Sequence, residues 1–300
     1  MGSEMCIRDR DYCSSSMSTD WGIRSLHRES KFYDPLNYNN GTVWPFTTGF
    51  VAGALYQCHR SLSGWQNLLS NVRMTYLDSP GWQPELLSGE FYCPLETSVP
   101  HQLFSASSII TPLVAGLLGL EGNVIQKKID FAPHLPYHWS KIEVKNFHLG
   151  SDRFHFKVEK SWGRLTINIQ KESTEMYQLF FSPAFAPGTE IYSVTVNGEK
   201  INCEIELNRY DVHCPMMIDF VDPSIRIEIE FFPGIELLIS NHPPVKGDFT
   251  TGLKLIDYHL DQGIFNLQVE GMSGNSYSIP FRSGYLIKKV KGGKIQNTAN

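Results

Sequence analysis

Three carboxylates raise the first chemical question. From Gly81 to Ser107 the chain reads GWQPELLSGEFYCPLETSVPHQLFSAS, which sets Glu85, Glu90 and Glu96 among tryptophan, phenylalanine, tyrosine, prolines and glycines. A solvated helix face would pair each acid with Lys or Arg three or four residues away, and no basic residue occurs between Gly81 and Val99. A second stretch, DPLNYNNGTVWPF from Asp34, has the same makeup, with Asn40 and Trp44 beside further amides and aromatics. Saccharide sites need this mixture, because aromatic rings stack on the C–H face of a sugar while Asp, Glu, Asn, Gln and His meet its hydroxyls.

Each candidate also has a plainer reading. Glu85 serves either as a catalytic base or as a carboxylate capping a turn or pairing with Arg24 or Arg73. Glu90 and Glu96 are expected to bind hydroxyls or to be structural, and either takes the base role if the loop is placed differently. Trp44 suits a stacking platform or a buried core position. His101 and Gln102 suit sugar hydroxyls or the satisfaction of loop backbone. Asp20, Trp21 and Arg24, in DWGIR, rim the pocket or form structural bridges. Asn40-Gly41-Thr42 fits a glycosylation sequon, and a pocket turn is preferred, with Gly41 supplying backbone freedom. His134 and His138 stand four apart, but Pro136 between them breaks the helix that would align them, so a metal at this pair is not expected.

The elements that must position these residues fall into two halves. WPFTTGFVAGALYQCHR places Phe46, Phe50, Ala54 and Cys58 four apart, with Val51 and Leu55 beside them, predicting an apolar helical stripe with Pro45 in its first turn. Gly49 and Gly53, also four apart, would permit close helix contact. Trp65, Leu68, Leu69, Val72 and Tyr76 repeat the helical period, and the run from Leu103 to Leu120 predicts a helix buried on several sides. Beyond residue 140 the period becomes two: Phe154/Phe156/Val158, Leu165/Ile167/Ile169, Tyr192/Val194/Val196, Ile201/Cys203/Ile205/Leu207 and Ile225/Ile227/Ile229/Phe231 predict strands. Asn197-Gly198 is a two-residue hairpin signal. The expected organisation is a leader over 1–17 outside the fold, helices over 18–122, a linker over 123–140, a β-sandwich over 141–232, a further β unit over 233–290 and a tail over 291–300. The leader reads as non-native, which makes the chain the C-terminal portion of a longer protein.

Composition excludes some partners. With 26 Lys plus Arg against 31 Asp plus Glu the net charge is −5, and the longest basic run is the short KKVKGGK, so neither nucleic acid nor an anionic membrane is an expected partner. The apolar run at 103–120 is shorter than the ~20 residues of a membrane span and carries serines, Thr111 and Pro112. Six cysteines occur without a C-x-x-C pair; Cys203 and Cys214 could be bridged, and free thiols are the preferred reading. The compartment stays open, with a cytoplasmic site slightly favoured, and oligomeric state is not legible.

The stretch from Asp20 to Asn123, through NGTVWP, PELLSG and PHQLFSAS in that order and GLLGLEGN after them, resembles the C-terminal third of an (α/α)6 six-hairpin glycosidase. The relatives would be bacterial glycogen debranching enzymes (amylo-alpha-1,6-glucosidases) and the processing α-glucosidase I and mannosylglycerate hydrolase group. FAPHLPYHW and SPAFAPGTEIYSVTVNG are similar to the β-sandwich that follows such domains. The resemblance implies a partial toroid followed by a sandwich, an oligosaccharide or glycoside substrate with α-linked glucosides foremost, and inverting hydrolysis in which Glu85 activates water. In that chemistry a separate acid protonates the leaving oxygen, ~6.5–9.5 Å from the base. No metal or organic cofactor is implied for glycoside hydrolysis, for which two carboxylates and water suffice. The family's acid is an Asp in an earlier segment with no counterpart here, so this fragment alone is expected to lose ~100- to 10,000-fold in rate. A phosphorylase on the same toroid and a non-catalytic saccharide-binding or scaffolding protein are the alternatives. Glu85 in PELLSG argues against the phosphorylase.

Overall fold

The computed structural model describes residues 10–239 and 242–296. The chain is mostly β, with few helices and several antiparallel sheets. The first half carries helical residues at 10–13 and the longer helices α1 (Pro45–Gln57), α2 (Ser61–Met74) and α3 (Leu103–Thr111), the last running on into a π-helical turn over Pro112–Leu117. Pro45 sits in the first turn of α1, where its missing N–H costs no hydrogen bond. A toroid of helical hairpins is not formed by the described residues.

The α2 stripe packs inward as expected through Leu68, with Trp65 and Val72 beside it, while α1 and α3 meet through small and polar side chains. At Gly49 an added Cβ would lie 2.4 Å from Cβ of Ser108, so α1 and α3 touch backbone to backbone there, whereas Gly53 faces open space. Asn71 of α2, fully buried, donates to the carbonyl of Pro45 (2.8 Å) and to Oγ of Ser108 (3.0 Å), tying the three helices with one amide. Because that close crossing consumes the small residues, the large ones point outward: Phe50 is 67% exposed and Leu103 78%. The 103–120 run is therefore only partly covered, and the Phe46–Phe50 face expected inside lies on the surface. Tyr76 falls beyond α2 and is exposed.

The β half begins at Leu120, ahead of the expected boundary. Strands β1 (Leu120–Asn123), β2 (Lys128–Phe131), β6 (Tyr177–Phe181) and β12 (Met216–Phe220) form a four-stranded sheet in the order β1-β2-β6-β12, with β2 and β6 parallel. The second sheet orders β3 (Lys141–Leu149), β4 (Asp152–Ser161), β5 (Arg164–Glu172), β13 (Ser224–Phe232), β8 (Glu190–Val196) and β9 (Glu199–Lys200), all antiparallel, as β3-β4-β5-β13-β8-β9. The sheets face each other across one core. Phe131 meets Phe156 with ring centroids 5.1 Å apart, and Phe154 meets Tyr177 at 4.9 Å. The alternating residues of β4, β5 and β13 are all inside, including Ile167 and Ile227 directly opposite each other. Burying each such side chain stabilises the fold by about 1.5–3 kcal/mol relative to exposure. Ala52, Tyr56 and Leu68 of the helices join the same core as the strands.

Three details of the β half depart from or complete the pattern. Asn197 and Gly198 both adopt positive φ (52° and 85°) in the β8–β9 turn, as the dipeptide predicts. Tyr192 is exposed although Val194 is buried, because β8 slips one residue against β13 there, a bulge that turns Tyr192 out. The run from Ile201 to Leu207 forms no full strand. It is held instead by a disulfide between Cys203 and Cys214, Cα atoms 6.0 Å apart, which corrects the free-thiol expectation. Beside it, β7 (Ala184–Phe185), β10 (Glu206–Leu207) and β11 (Val212–His213) make a small sheet.

The last elements are β14 (Ile235–Leu237), paired with β17 (Phe281–Ser283), and the hairpin β15 (Lys254–Asp261) with β16 (Ile264–Glu270). Both tie back to the first half. Asp20 pairs with Lys254 at 2.5 Å, and buried Arg60 donates to the carbonyl of Ile256 (2.5 Å) over the ring of Tyr210. Of the expected leader, residues 1–9 lie outside the described residues, while residues 10–17 pack: Arg10 bridges to Asp257 at 2.6 Å and Cys13 is buried. Residues 297–300 of the expected tail also lie outside the described residues.

Candidate active site

Glu85 is placed by backbone pairing on both sides of its segment. Val43 and Leu87 exchange N–H···O bonds of 2.9 Å each; on the other side Glu85 N–H donates to Val99 O (2.9 Å) and Gln102 N–H to Gln83 O (2.9 Å). Leu87 and Val43 are fully buried with Trp21, Met74 and Tyr92 in a small core of their own. The Glu85 carboxylate is only 9% exposed as a residue, yet it meets polar groups: the Tyr38 hydroxyl donates to Oε1 (2.5 Å) and the Val99 N–H to Oε2 (3.3 Å). The bond to Glu85 raises the Tyr38 phenol above its ordinary pKa, so tyrosine stays the donor.

Tyr38 in turn stands edge-on to Trp44, ring centroids 4.9 Å apart. The Trp44 indole N–H donates to Thr42 Oγ1 (3.1 Å) and approaches the Tyr38 carbonyl (3.3 Å), which fixes the ring. Phe46, Phe50 and Phe104 extend the row of rings from Trp44 along α1 to the start of α3. Tyr38 thus joins the Glu85 carboxylate to a row of partly exposed rings in one arrangement drawn from both sequence stretches. No single stretch contains it, since Tyr38 and Trp44 come from one and Glu85 from the other.

The other candidates scatter. Glu90 forms an ion pair with Arg28 at 2.9 Å. Glu96 is exposed on the loop. His101, exposed, bridges Gln83 through backbone, and Gln102 precedes the first turn of α3. Asn40 is exposed in a turn, its N–H bonded to Asn37. Trp21 is 0% exposed and donates its indole N–H to the Ser88 carbonyl (2.9 Å), so it belongs to the core beneath the site and not to its rim. Arg24 is likewise buried; its Nε donates to the Gly89 carbonyl (2.8 Å), and it is not the partner of Glu85. Both hold the PELLSG segment from below. Tyr38 was missed by sequence reasoning, although its place between two asparagines in LNYNNG was the available signal.

Two further features lie away from Glu85. A shallow cleft, open to solvent, is lined by Trp65, Leu135, Tyr137, Lys160, Tyr210 and Tyr258, where α2 meets the linker and the last strands. Among the described residues, His59, His134, Asp211 and His213 form a group able to hold a metal ion; His134 joins these and not His138. No helix among the described residues is long and apolar enough to cross a membrane.

No protein-family profile matches the chain and no curated protein matches it. Solved structures of carbohydrate-active enzymes are distantly similar. An α-L-rhamnosidase from Dictyoglumus thermophilum aligns with 64% of this chain and 21% of its own at 13% identity and a TM-score of 0.43. A β-L-arabinofuranosidase from Geobacillus stearothermophilus T6 aligns with 76% of this chain and 38% of its own at 12% identity and a TM-score of 0.34. A protein described as a glycoside hydrolase aligns with 84% of this chain and 49% of its own at 10% identity and a TM-score of 0.32. The chain thus spans less than half the length of each, and at these values the likeness identifies no particular family.

Proposed function

We propose that the chain is part of an inverting glycoside hydrolase that acts on α-linked glucosides or related saccharides, with Glu85 as the base that activates water. The observation that carries this reading is the Tyr38–Glu85–Trp44 arrangement: a carboxylate oriented by a phenol at 2.5 Å, the same tyrosine standing against a partly exposed tryptophan whose N–H is already engaged. A base must remain ionised, within one water of the anomeric carbon, and Tyr38 and the Val99 N–H hold the carboxylate in one orientation. Trp44 supplies the stacking surface, and His101, Gln102, Asn40, Glu90 and Glu96 the outer polar loops. Protonation of the leaving oxygen is assigned to a carboxylic acid supplied by a longer parent chain. The debranching and α-glucosidase specificity rests on the NGTVWP and PELLSG resemblance.

A second reading has its own observation. Both oxygens of Glu85 are already engaged within the chain, which also suits a carboxylate that binds hydroxyls without turning them over. One experiment separates the two. The chain and its longer parent are assayed for release of reducing sugar from α-glucosides, with the product anomer followed by NMR, alongside calorimetric binding of the same saccharides. Hydrolysis with inversion that falls ~100- to 10,000-fold in Glu85→Gln supports the base. Binding without turnover in both chains, retained in Glu85→Gln, supports the binding protein. Neither binding nor turnover overturns the saccharide reading altogether.

A further inference from the structure

We propose that His59, His134, Asp211 and His213 form a binding site for a divalent transition-metal cation, zinc foremost, that clasps the helical hairpin, the 131–139 linker and the small β sheet together. The residues come from three separate parts of the fold: His59 from the α1–α2 turn, His134 from the linker, and Asp211 with His213 from the entry to β11. Asp211 and His213 stand two apart on an extended segment, so both side chains leave the same face. The disulfide at Cys214 anchors that segment directly after His213.

The distances suit a small tetrahedral ion. His59 Nδ1 lies 3.0 Å from Asp211 Oδ1 and 3.3 Å from His213 Nε2, and His213 Nε2 lies 3.1 Å from Asp211 Oδ2. Bonds of ~2.0–2.1 Å in a tetrahedron put neighbouring ligand atoms about 3.3 Å apart, so three ligands are already spaced for one ion. The His134 atom completes a set in which all four lie within 4.8 Å of one another.

A network of protons leaves more unsatisfied than a cation does. His213 Nδ1 is 3.2 Å from the Ser182 carbonyl and 3.0 Å from its hydroxyl; donation to the carbonyl leaves the Nε2 lone pair turned toward Asp211 and His59. Asn208 donates to Asp211 Oδ1 (3.2 Å), the kind of outer bond that orients a ligand carboxylate. Protons alone can join Asp211 to the two neighbouring histidines. They do nothing for His134, both of whose ring nitrogens are buried without a hydrogen bond of normal geometry, the Ala132 backbone offering only a weak contact. Three imidazoles and a carboxylate, with no thiolate, are a zinc-type donor set. His59 is 36% exposed while Asp211 and His213 are buried, so an ion enters from the His59 side.

The test uses tag-free protein stripped with chelator, then titrated with Zn²⁺ and with Co²⁺. One equivalent of zinc per chain, a tetrahedral Co²⁺ absorption spectrum and a higher thermal midpoint with zinc are expected. His213→Ala and His134→Ala should weaken binding at least 100-fold, Ser182→Ala by ~10- to 100-fold through loss of the orienting bond, and His138→Ala not at all. Should His213→Ala fail to fold, the part-exposed His59→Ala gives the same reading through loss of the tetrahedral Co²⁺ spectrum. Failure of the wild-type chain to take up one equivalent, or an affinity equal in wild type and all folded variants, overturns the proposal; the latter marks adventitious metal only.

Discussion

Replacing Asp20 tests whether the loop before α1 is locked to β15 by charge. One oxygen of Asp20 pairs with Lys254 Nζ at 2.5 Å, and the other accepts the N–H groups of Thr251 and Gly252 at 2.8 Å each. Both side chains are at most 7% exposed. Removing one partner of such a pair strands the other charge, so Asp20→Ala should cost about 3–5 kcal/mol. Asp20→Asn keeps an acceptor for the two N–H groups and should cost less, about 1.5–3 kcal/mol for the lost charge-assisted bond. Adding Lys254→Met to Asp20→Asn removes the stranded ammonium and should restore about 2 kcal/mol of that loss. With a urea m value near ~3 kcal/mol/M, Asp20→Ala shifts the unfolding midpoint down by about 1 M or more. Acid should act in the same direction. Burial pushes the Asp20 carboxyl up, but the Lys254 ammonium and the backbone donors outweigh it, and the net shift is downward. A carboxyl depressed in the folded state contributes stability that is complete above its unfolded pKa of ~3.9 and is lost as pH falls through the lower folded value. Urea melts of the wild type and the three variants between neutral pH and pH 3 measure all of this, the acid-dependent loss being expected in the wild type and absent from the variants. A cost below ~1 kcal/mol for Asp20→Ala, or a double variant no better than Asp20→Asn, refutes the locked pair.

Other expectations follow from single contacts. Gly49→Val should lower stability by about 1–3 kcal/mol, because its Cβ would fall 2.4 Å from Ser108, while Gly53→Ala, facing open space, should raise it by up to about 1 kcal/mol; thermal melts of the two rank them. Reduction should free two thiols beyond those titrated in the unreduced, denatured chain, and Cys203→Ser should cost about 3 kcal/mol for a loop closed over a separation of 11 residues. Trp44→Ala should weaken saccharide binding roughly 2- to 10-fold by calorimetry, with the fold intact by circular dichroism, because stacking is lost without touching Glu85.

The period-two runs at 154–158, 165–169 and 225–231 required strands in any arrangement, since a sheet with one face inside repeats its apolar residues at every second position. The Asn197-Gly198 turn was equally local, because few other pairs accept two positive φ values in succession. The carboxylates and aromatics around Glu85 and Trp44 marked a candidate site by composition alone, because the chemistry proposed for it rests on residue type. What those residues touch was not legible. The α1 stripe named Phe46 and Phe50 as core, yet the backbone approach at Gly49 and the Asn71 amide decided which face closes, a choice that depends on the partner helix. Trp21 and Arg24 looked like rim residues and became the support beneath PELLSG, since their burial is set by chain 65 or more positions away. The joining of Cys203 to Cys214 and of His134 to His59, Asp211 and His213 likewise depended on how distant segments meet. Local periodicity determines element type through one residue's neighbours in sequence, whereas a site needs atoms from several segments within about 3 Å, and only the packed chain brings those segments together.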